Sequence, residues 1–448
     1  MTLSLGLLLI AVLALSHSST STYRQQDQAS AQQYIQTIKY RNLVIDLGNG
    51  LKTNAQLTFP AIGKGPFPGV LLVAGSGAID KNATAGFFLK NRPKPPTPFW
   101  QIAQYLSERG FAVLRYDKRG VGGNFTILNS DVWGNVTISD LIQDAKKALN
   151  VLVQQPEVDP KRISIIGHSQ GTVIAPRVAI DNSNKVKNIV LMGTQAQSLG
   201  DLGYYQAVGL PFLYIEKVLH PDHDGLLSIN KASKSPIFSR LIDGNITSYF
   251  LTKNITTSNG TKQIQLKPVY IANKVGGADA YININTELKP FLEALLINAT
   301  SIPTTKYKCF NLNDCPILRN SDLILEPNLS IIGNVSNATG ILILQGDNDT
   351  QTPIQQAFLL EQKLTQLNHY DHTLLTYPNL GHLFYPSSQW LTGIGPIEQY
   401  VLADLYAWLE AHSGLSHSFA TTGATSHMAA NMISLSTNTS NSSSSGKR

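Results

Sequence analysis

Cysteine is nearly absent from this chain of 448 residues, which has only Cys309 and Cys315. Two cysteines make neither a metal cluster nor a multi-bridge scaffold, so a hydrophobic core must carry the fold. Charge is also sparse. Asp, Glu, Lys and Arg make up 14% of the residues, against roughly a quarter in ordinary globular chains. The polar surface therefore falls to Asn, Ser, Thr and Gln. The net charge is +6, but no dense basic run occurs and Lys and Arg are scattered, which argues against nucleic acid as a partner.

The chain is longer than one hydrophobic core usually spans, so a core domain with an addition is expected. At the start, Met1 to Leu15 is apolar and Ser/Thr-rich sequence follows. That stretch falls short of the ~20 residues of a membrane span and resembles the core of an export signal. No Lys or Arg precedes it, so an uncleaved N-terminal membrane anchor is the alternative reading. Export agrees with the Asn-x-Ser/Thr sequons at Asn82, Asn124, Asn135, Asn245, Asn254, Asn259, Asn298, Asn328, Asn334, Asn337, Asn348, Asn438 and Asn441. Those between Asn245 and Asn337 mark a surface suited to glycans. In an oxidising compartment Cys309 and Cys315 are expected to close a small disulfide loop worth on the order of 2 kcal/mol.

Residues 42–47 and 54–59 alternate in polarity around Gly48-Asn49-Gly50, a hairpin signal. Continuous apolar runs then appear at 69–74, 111–116, 162–166 and 188–192, the mark of strands covered on both faces. Helical patterns separate them at 99–109, 139–155 (capped by Thr137 or Ser139) and 171–180. The rhythm stops at about residue 195 and resumes with a strand at 340–344, a helix at 353–367, a strand at 372–376 and a helix at 397–410. This is the pattern of an α/β fold, a mostly parallel, doubly wound sheet. A structureless loop as long as 195–339 has no place in a compact domain, so that segment is expected to be an inserted cap. The expected organisation is an N-terminal signal or anchor with its linker at 1–29, core at 30–194, cap at 195–339, core at 340–412 and a disordered polar tail at 413–448.

Gly167-His168-Ser169-Gln170-Gly171 joins an apolar strand to a helix. A turn this tight needs glycine at Gly167 and Gly171 and lifts the Ser169 hydroxyl clear of the sheet, while the helix N-terminus favours negative charge beside it. Serine needs a base to become a nucleophile. Asn379-Leu380-Gly381-His382 follows the 372–376 strand and offers His382. Asp347 and Asp349 both follow the 340–344 strand, at the sheet edge where open α/β sheets place ligands. Asp349 lies farther out on the loop and is the expected acid, with Asp347 as a loop anchor. His168 reads as a spacer in the turn, and His220-Pro221-Asp222-His223-Asp224 reads as loop sequence rather than a metal site. Two backbone donors are also required for acyl transfer. The N–H of Gln170 is one, and the N–H of Ser76, in the small-residue loop Gly75-Ser76-Gly77-Ala78-Ile79-Asp80, is the other.

These segments resemble α/β-hydrolases of the serine aminopeptidase and carboxylesterase type, which carry a GSGPxDRD-like loop. Here Gly75, Ser76, Gly77 and Asp80 match that loop, with Ala78 for Pro, Lys81 for Arg and Asn82 for Asp. Leu114-Arg115-Tyr116-Asp117-Lys118-Arg119-Gly120-Val121-Gly122 is similar to the group's strand-and-turn signature, whose charges are expected to brace loops beside the site. The base region is similar to Leu-Asn-His-Leu-Phe, with Gly381 for Asn. In such relatives the acid stands three positions after Gly346, which again selects Asp349. The likeness covers ~40–195 and ~340–411. It implies an α/β-hydrolase fold with an inserted cap, no cofactor or metal, and a small ester or a peptide as substrate. Cleavage would run through an acyl-enzyme on Ser169, with His382 as base. An aminopeptidase would need an acidic anchor for the substrate amine, for which Glu216, Asp222 and Glu293 in the cap are the candidates.

Overall fold

The computed structural model describes residues 37–85, 95–123, 126–222, 225–235, 247–256, 262–270, 281–300, 316–388 and 393–415. The N-terminal apolar stretch, the polar tail after 415, Cys309, Cys315 and the sequons at Asn124, Asn245, Asn259, Asn438 and Asn441 lie outside the described residues.

The core is built from β1 (Ile38–Gly48), β2 (Leu51–Pro60), β3 (Phe67–Val73), α1 (Pro98–Ser107), β4 (Ala112–Tyr116), α2 (Ile138–Val153), β5 (Val158–His168), α3 (Gly171–Asp181), β6 (Val186–Met192), α4 (Pro316–Leu323), β7 (Gly340–Gly346), α5 (Ile354–Gln366), β8 (His372–Tyr377) and α6 (Gln399–Ser413). The strands form one sheet of eight in the order β1-β2-β4-β3-β5-β6-β7-β8. β1 and β2 form the expected antiparallel hairpin, and β2 also runs antiparallel to β4. From β4 to β8 every neighbouring pair is parallel.

Period-two alternation divides the core. Leu71, Val73, Ile163, Ile165, Ile341 and Ile343 face one side and pack with α2, α3 and α5 through Leu141, Leu149, Ile174, Val178, Leu360 and Leu364. Their chain neighbours Val70, Leu72, Ile166, Leu342 and Leu344 face the other side and pack with α1 and α6 through Ile102, Leu106, Val401, Leu405 and Trp408. Burial on both faces is why these strands read as continuous apolar runs. Thr137 rather than Ser139 caps α2, in a reciprocal pair where Asp140 N–H donates to Thr137 Oγ1 at 3.1 Å and Thr137 N–H donates to Asp140 Oδ2 at 2.9 Å.

Between β6 and β7 the chain builds a separate apolar cluster around Val208, Tyr214, Ile215, Leu227, Ile282, Leu288 and Leu292. A largely continuous helical stretch over 199–219 includes wider π-helical turns at Tyr205–Gly209 and Ile215–Leu219. Near the end of this insertion, Leu318, Ile332 and Val335 join the core of the sheet itself. No helix among the described residues is long and apolar enough to cross a membrane.

Candidate active site

Parallel strands deliver their following loops to one edge of the sheet. Six such loops meet there, after β3, β4, β5, β6, β7 and β8. The turn after β5 places Ser169 at φ +55°, a conformation that L residues adopt only under constraint. The constraint comes from close backbone packing. A Cβ on Gly167 would lie 2.2 Å from the Gly171 carbonyl oxygen, and one on Gly171 would lie 2.1 Å from the Val73 carbonyl oxygen. The Ser169 N–H donates to the Met192 carbonyl at 2.9 Å. Its own carbonyl accepts from the Thr172 N–H at 2.8 Å and the Thr172 hydroxyl at 2.6 Å. The Ser169 side chain remains partly accessible.

After β7, Asp349 is buried, and its Oδ2 lies 2.7 Å from His382 Nδ1. The carboxylate also accepts from Gln351 N–H and Thr352 N–H at 2.9 Å each, the Thr352 hydroxyl at 2.8 Å and Gln345 Nε2 at 3.0 Å. Burial pushes the Asp349 carboxyl up, but the His382 charge and the hydrogen bonds from His382 and Thr352 outweigh it and hold the group below its ordinary value. With Nδ1 carrying its proton toward Asp349, His382 presents Nε2 as a base. Asp347 stays exposed and accepts from the Asn379 N–H at 2.6 Å, the expected loop-anchoring role.

His168 does more than space the turn. Its Nε2 lies 3.0 Å from the His382 carbonyl, which only accepts, so His168 carries its proton on Nε2. The two rings lie 4.7 Å apart. Packing around His168, with the nearby His382 charge, pushes its pKa down to about 4. The residue before Ser169 is thus bonded to the residue that pairs with Asp349. Gly193 completes the contact. It follows Met192 at φ +62°, and a Cβ there would lie 3.0 Å from His382 Cε1.

The loop after β3 runs against the same turn, since a Cβ on Gly75 would lie 2.9 Å from Ser169 Cβ. Ser76 is exposed and Gly77 has φ +92°. Asp80 is buried and folds the loop back, its Oδ1 accepting from Thr84 N–H at 2.9 Å and its Oδ2 from the Thr84 hydroxyl at 2.7 Å. The charges at the end of β4 and in the turn after it brace this loop. Arg115 bonds to Asn82 and Gln56, and Asp117 Oδ1 accepts from Lys81 N–H at 2.7 Å. Lys118 Nζ donates to the Gly75 carbonyl and to Gln170 Oε1, the latter at 3.2 Å. Arg119 holds Asp140 and Asp144 of α2 at 2.8 and 2.6 Å.

The family described as alpha/beta hydrolase fold matches residues 88–388, about two thirds of the chain. The chain belongs to the alpha/beta hydrolase fold family. Among curated relatives it is 33% identical over 168 residues to Esterase EstD of Thermotoga maritima, covering 36% of each protein. It is 27% identical over 182 residues to the putative hydrolase YtaP of Bacillus subtilis, covering 37% of this chain and 59% of that one. The matched part therefore spans less than two thirds of these relatives. The acylaminoacyl peptidase structure of Pyrococcus horikoshii aligns over 86% of this chain and 44% of that one, at 12% identity and a TM-score of 0.46.

Several hydrolase-site residues escaped sequence reasoning. Gln345 falls just past the strand expected at 340–344 and has no expected role there, yet it is the penultimate residue of β7, its amide N–H donates to Asp349 Oδ2 and its amide oxygen accepts from Thr194 N–H at 2.9 Å. Asp322 of α4 lies in the insertion, and its Oδ2 accepts from Gln170 Nε2 at 2.9 Å. Gln206, also in the insertion, donates to the Gln351 carbonyl beside Asp349 at 2.6 Å. None of these carries a motif, and apart from the Gln345–Asp349 bond the partners lie far apart in the chain.

Proposed function

We propose that this protein is a serine hydrolase that cleaves carboxylic esters through an acyl-enzyme. The observation that carries the reading is the buried 2.7 Å pair between Asp349 and His382, bonded through His168 to the strained turn that holds Ser169. Ser169 Oγ attacks the ester carbonyl as His382 Nε2 takes its proton. Asp349 fixes the tautomer and stabilises the imidazolium. The developing oxyanion is held by the N–H groups of Ser76 and Gln170. Loss of one such donor costs about 10²–10³ in kcat. His382 then protonates the departing alcohol, and water repeats the sequence to release the acid.

An ester substrate agrees with the similarity to a protein named as an esterase. The acids considered as anchors for a peptide amine are engaged within the insertion. Glu293 accepts from the Tyr204 hydroxyl at 2.8 Å, Glu216 pairs with Lys217 at 2.9 Å, and Asp222 pairs with Lys231 at 2.5 Å.

Purified protein is expected to turn over p-nitrophenyl acetate, and Ser169→Ala to lose at least about 10³-fold in kcat. Full activity in Ser169→Ala would refute the assignment. Faster cleavage of aminoacyl anilides than of matched esters would move the reading to a peptidase.

A further inference from the structure

A peptide unit has two ends. A donor at its carbonyl oxygen fixes its plane and polarises its N–H, which strengthens the bond made at the other end. The proposed oxyanion donors are the N–H of Ser76, in the Gly75–Ser76 peptide, and the N–H of Gln170, in the Ser169–Gln170 peptide. Both carbonyls at the opposite ends are engaged by buried side chains. The Gly75 carbonyl accepts from Lys118 Nζ. The Ser169 carbonyl accepts from the Thr172 hydroxyl at 2.6 Å.

Lys118 is itself held in place. Its Nζ also donates to Gln170 Oε1 at 3.2 Å, and Gln170 Nε2 donates to Asp322 Oδ2 at 2.9 Å. The Trp133 ring centroid lies 5.9 Å from Nζ. Lys118, Gln170 and Asp322 are each at most 5% exposed. Burial pushes Lys118 down to about 7 and the Asp322 carboxyl up, the attraction between the two opposes both shifts, and the Gln170 amide joins them. α4, which carries Asp322, is fixed to the core where the Ile138 N–H donates to Ser321 Oγ at 2.9 Å.

We propose that Lys118, held by Asp322 through the Gln170 side chain, is a positioning residue that orients and polarises the Gly75–Ser76 peptide for the oxyanion. It stabilises the negative charge that develops on the carbonyl oxygen without touching the substrate. The Asp322 link makes this part of the insertion a structural part of the oxyanion hole. Thr172 serves the Ser169–Gln170 peptide in the same way. This inference rests on the serine-hydrolase reading above.

The test compares Lys118→Met and Asp322→Asn with the native protein on p-nitrophenyl acetate, with kcat expressed per folded monomer. A second readout is inhibition by phenylboronic acid, which forms a tetrahedral adduct on a reactive serine. Lys118→Met is expected to lower kcat at least about tenfold with KM within about twofold, and to weaken boronate binding by the same factor as kcat/KM. Asp322→Asn keeps the shape of the link and removes its charge, so kcat is expected to fall at least about threefold. A Lys118→Met/Asp322→Asn double variant is expected to be no worse than Lys118→Met alone. A merely structural role would lower the melting temperature and leave kcat per folded monomer and boronate affinity unchanged. That result, or kcat falls smaller than those stated, overturns the inference. If Lys118→Met does not fold, Asp322→Asn decides by the same two readouts. Full turnover by Ser169→Ala would remove the reading beneath it. An inactive Ser169→Ala beside an unimpaired Lys118→Met would remove this inference alone.

Discussion

At the scale of single residues, the site depends on side chains whose placement leaves no slack. Gly193 shows this most directly, because a Cβ there would lie 3.0 Å from His382 Cε1 and its backbone is left-handed. Gly193→Ala is expected to push the His382 ring aside by a few tenths of an ångström, to strain the left-handed backbone there, and to lower kcat on p-nitrophenyl acetate by roughly tenfold. Unchanged kcat in Gly193→Ala would show that the ring does not depend on that contact. Asp349→Asn is expected to be worse, near 10⁴-fold, because the amide favours the wrong imidazole tautomer. Both Asp349 and His382 were legible in the sequence because each follows an apolar strand whose parallel neighbours dictate where its loop emerges. Lys118 and Asp322 were not. A lysine in a turn signature gives no sign of burial, and Asp322 meets Gln170 across 152 positions from a segment without strand–helix rhythm.

At the scale of elements, α3 contains a proline that the periodicity tolerates and the hydrogen-bond ladder does not. Pro176 has no N–H, so the Thr172 carbonyl loses its partner one turn back. The Asn328 amide replaces it, donating to the Thr172 carbonyl at 2.9 Å and to the Gln195 carbonyl at 2.7 Å. Asn328 is 1% exposed, which corrects its reading as part of a glycan-bearing surface. Its sequon is a by-product of a structural amide. Asn328→Ala leaves two buried carbonyls unpartnered and is expected to cost about 2 kcal/mol, a fall in Tm of roughly 4 °C by calorimetry. An unchanged Tm would mean that the Asn328 bonds contribute nothing. Helix and strand positions in the core were readable because tertiary burial and local pattern agree there, as with β7 and α5. In the insertion they diverge, and the long helical stretch with π-turns over 199–219 has no simple period to read.

At the scale of the whole molecule, acid should loosen the fold from the site outward. His168 titrates near 4 when folded, against ~6.5 for an unperturbed imidazole. As pH falls from about 6.5 to 4 the unfolded chain therefore takes up the proton first and stability is lost, by on the order of 2 kcal/mol at pH 4.5. The depressed Asp349 carboxyl adds a loss of the same sign below the ordinary carboxylate range. His168→Gln is expected to flatten the fall in Tm between pH 7 and 4.5, and an unaltered acid slope would assign the loss elsewhere. The same fold divides the sequons into held and exposed ones. Asn348 Nδ2 donates to the Ser387 carbonyl at 2.9 Å beside Asp349, whereas Asn135, Asn334 and Asn337 are exposed. In protein expressed in a glycosylating host, glycopeptide mass spectrometry should find Asn348 and Asn328 bare even where those neighbours are occupied. High occupancy at Asn348 in active protein would count against Asp349 as the acid. The central claim is that one hydroxyl is made reactive by His382, and a fluorophosphonate tests it most directly. The account predicts a single adduct, mapped to Ser169, formed as esterase activity is lost and absent in His382→Ala on the same timescale. An adduct on another residue, or equal labelling without His382, would contradict it.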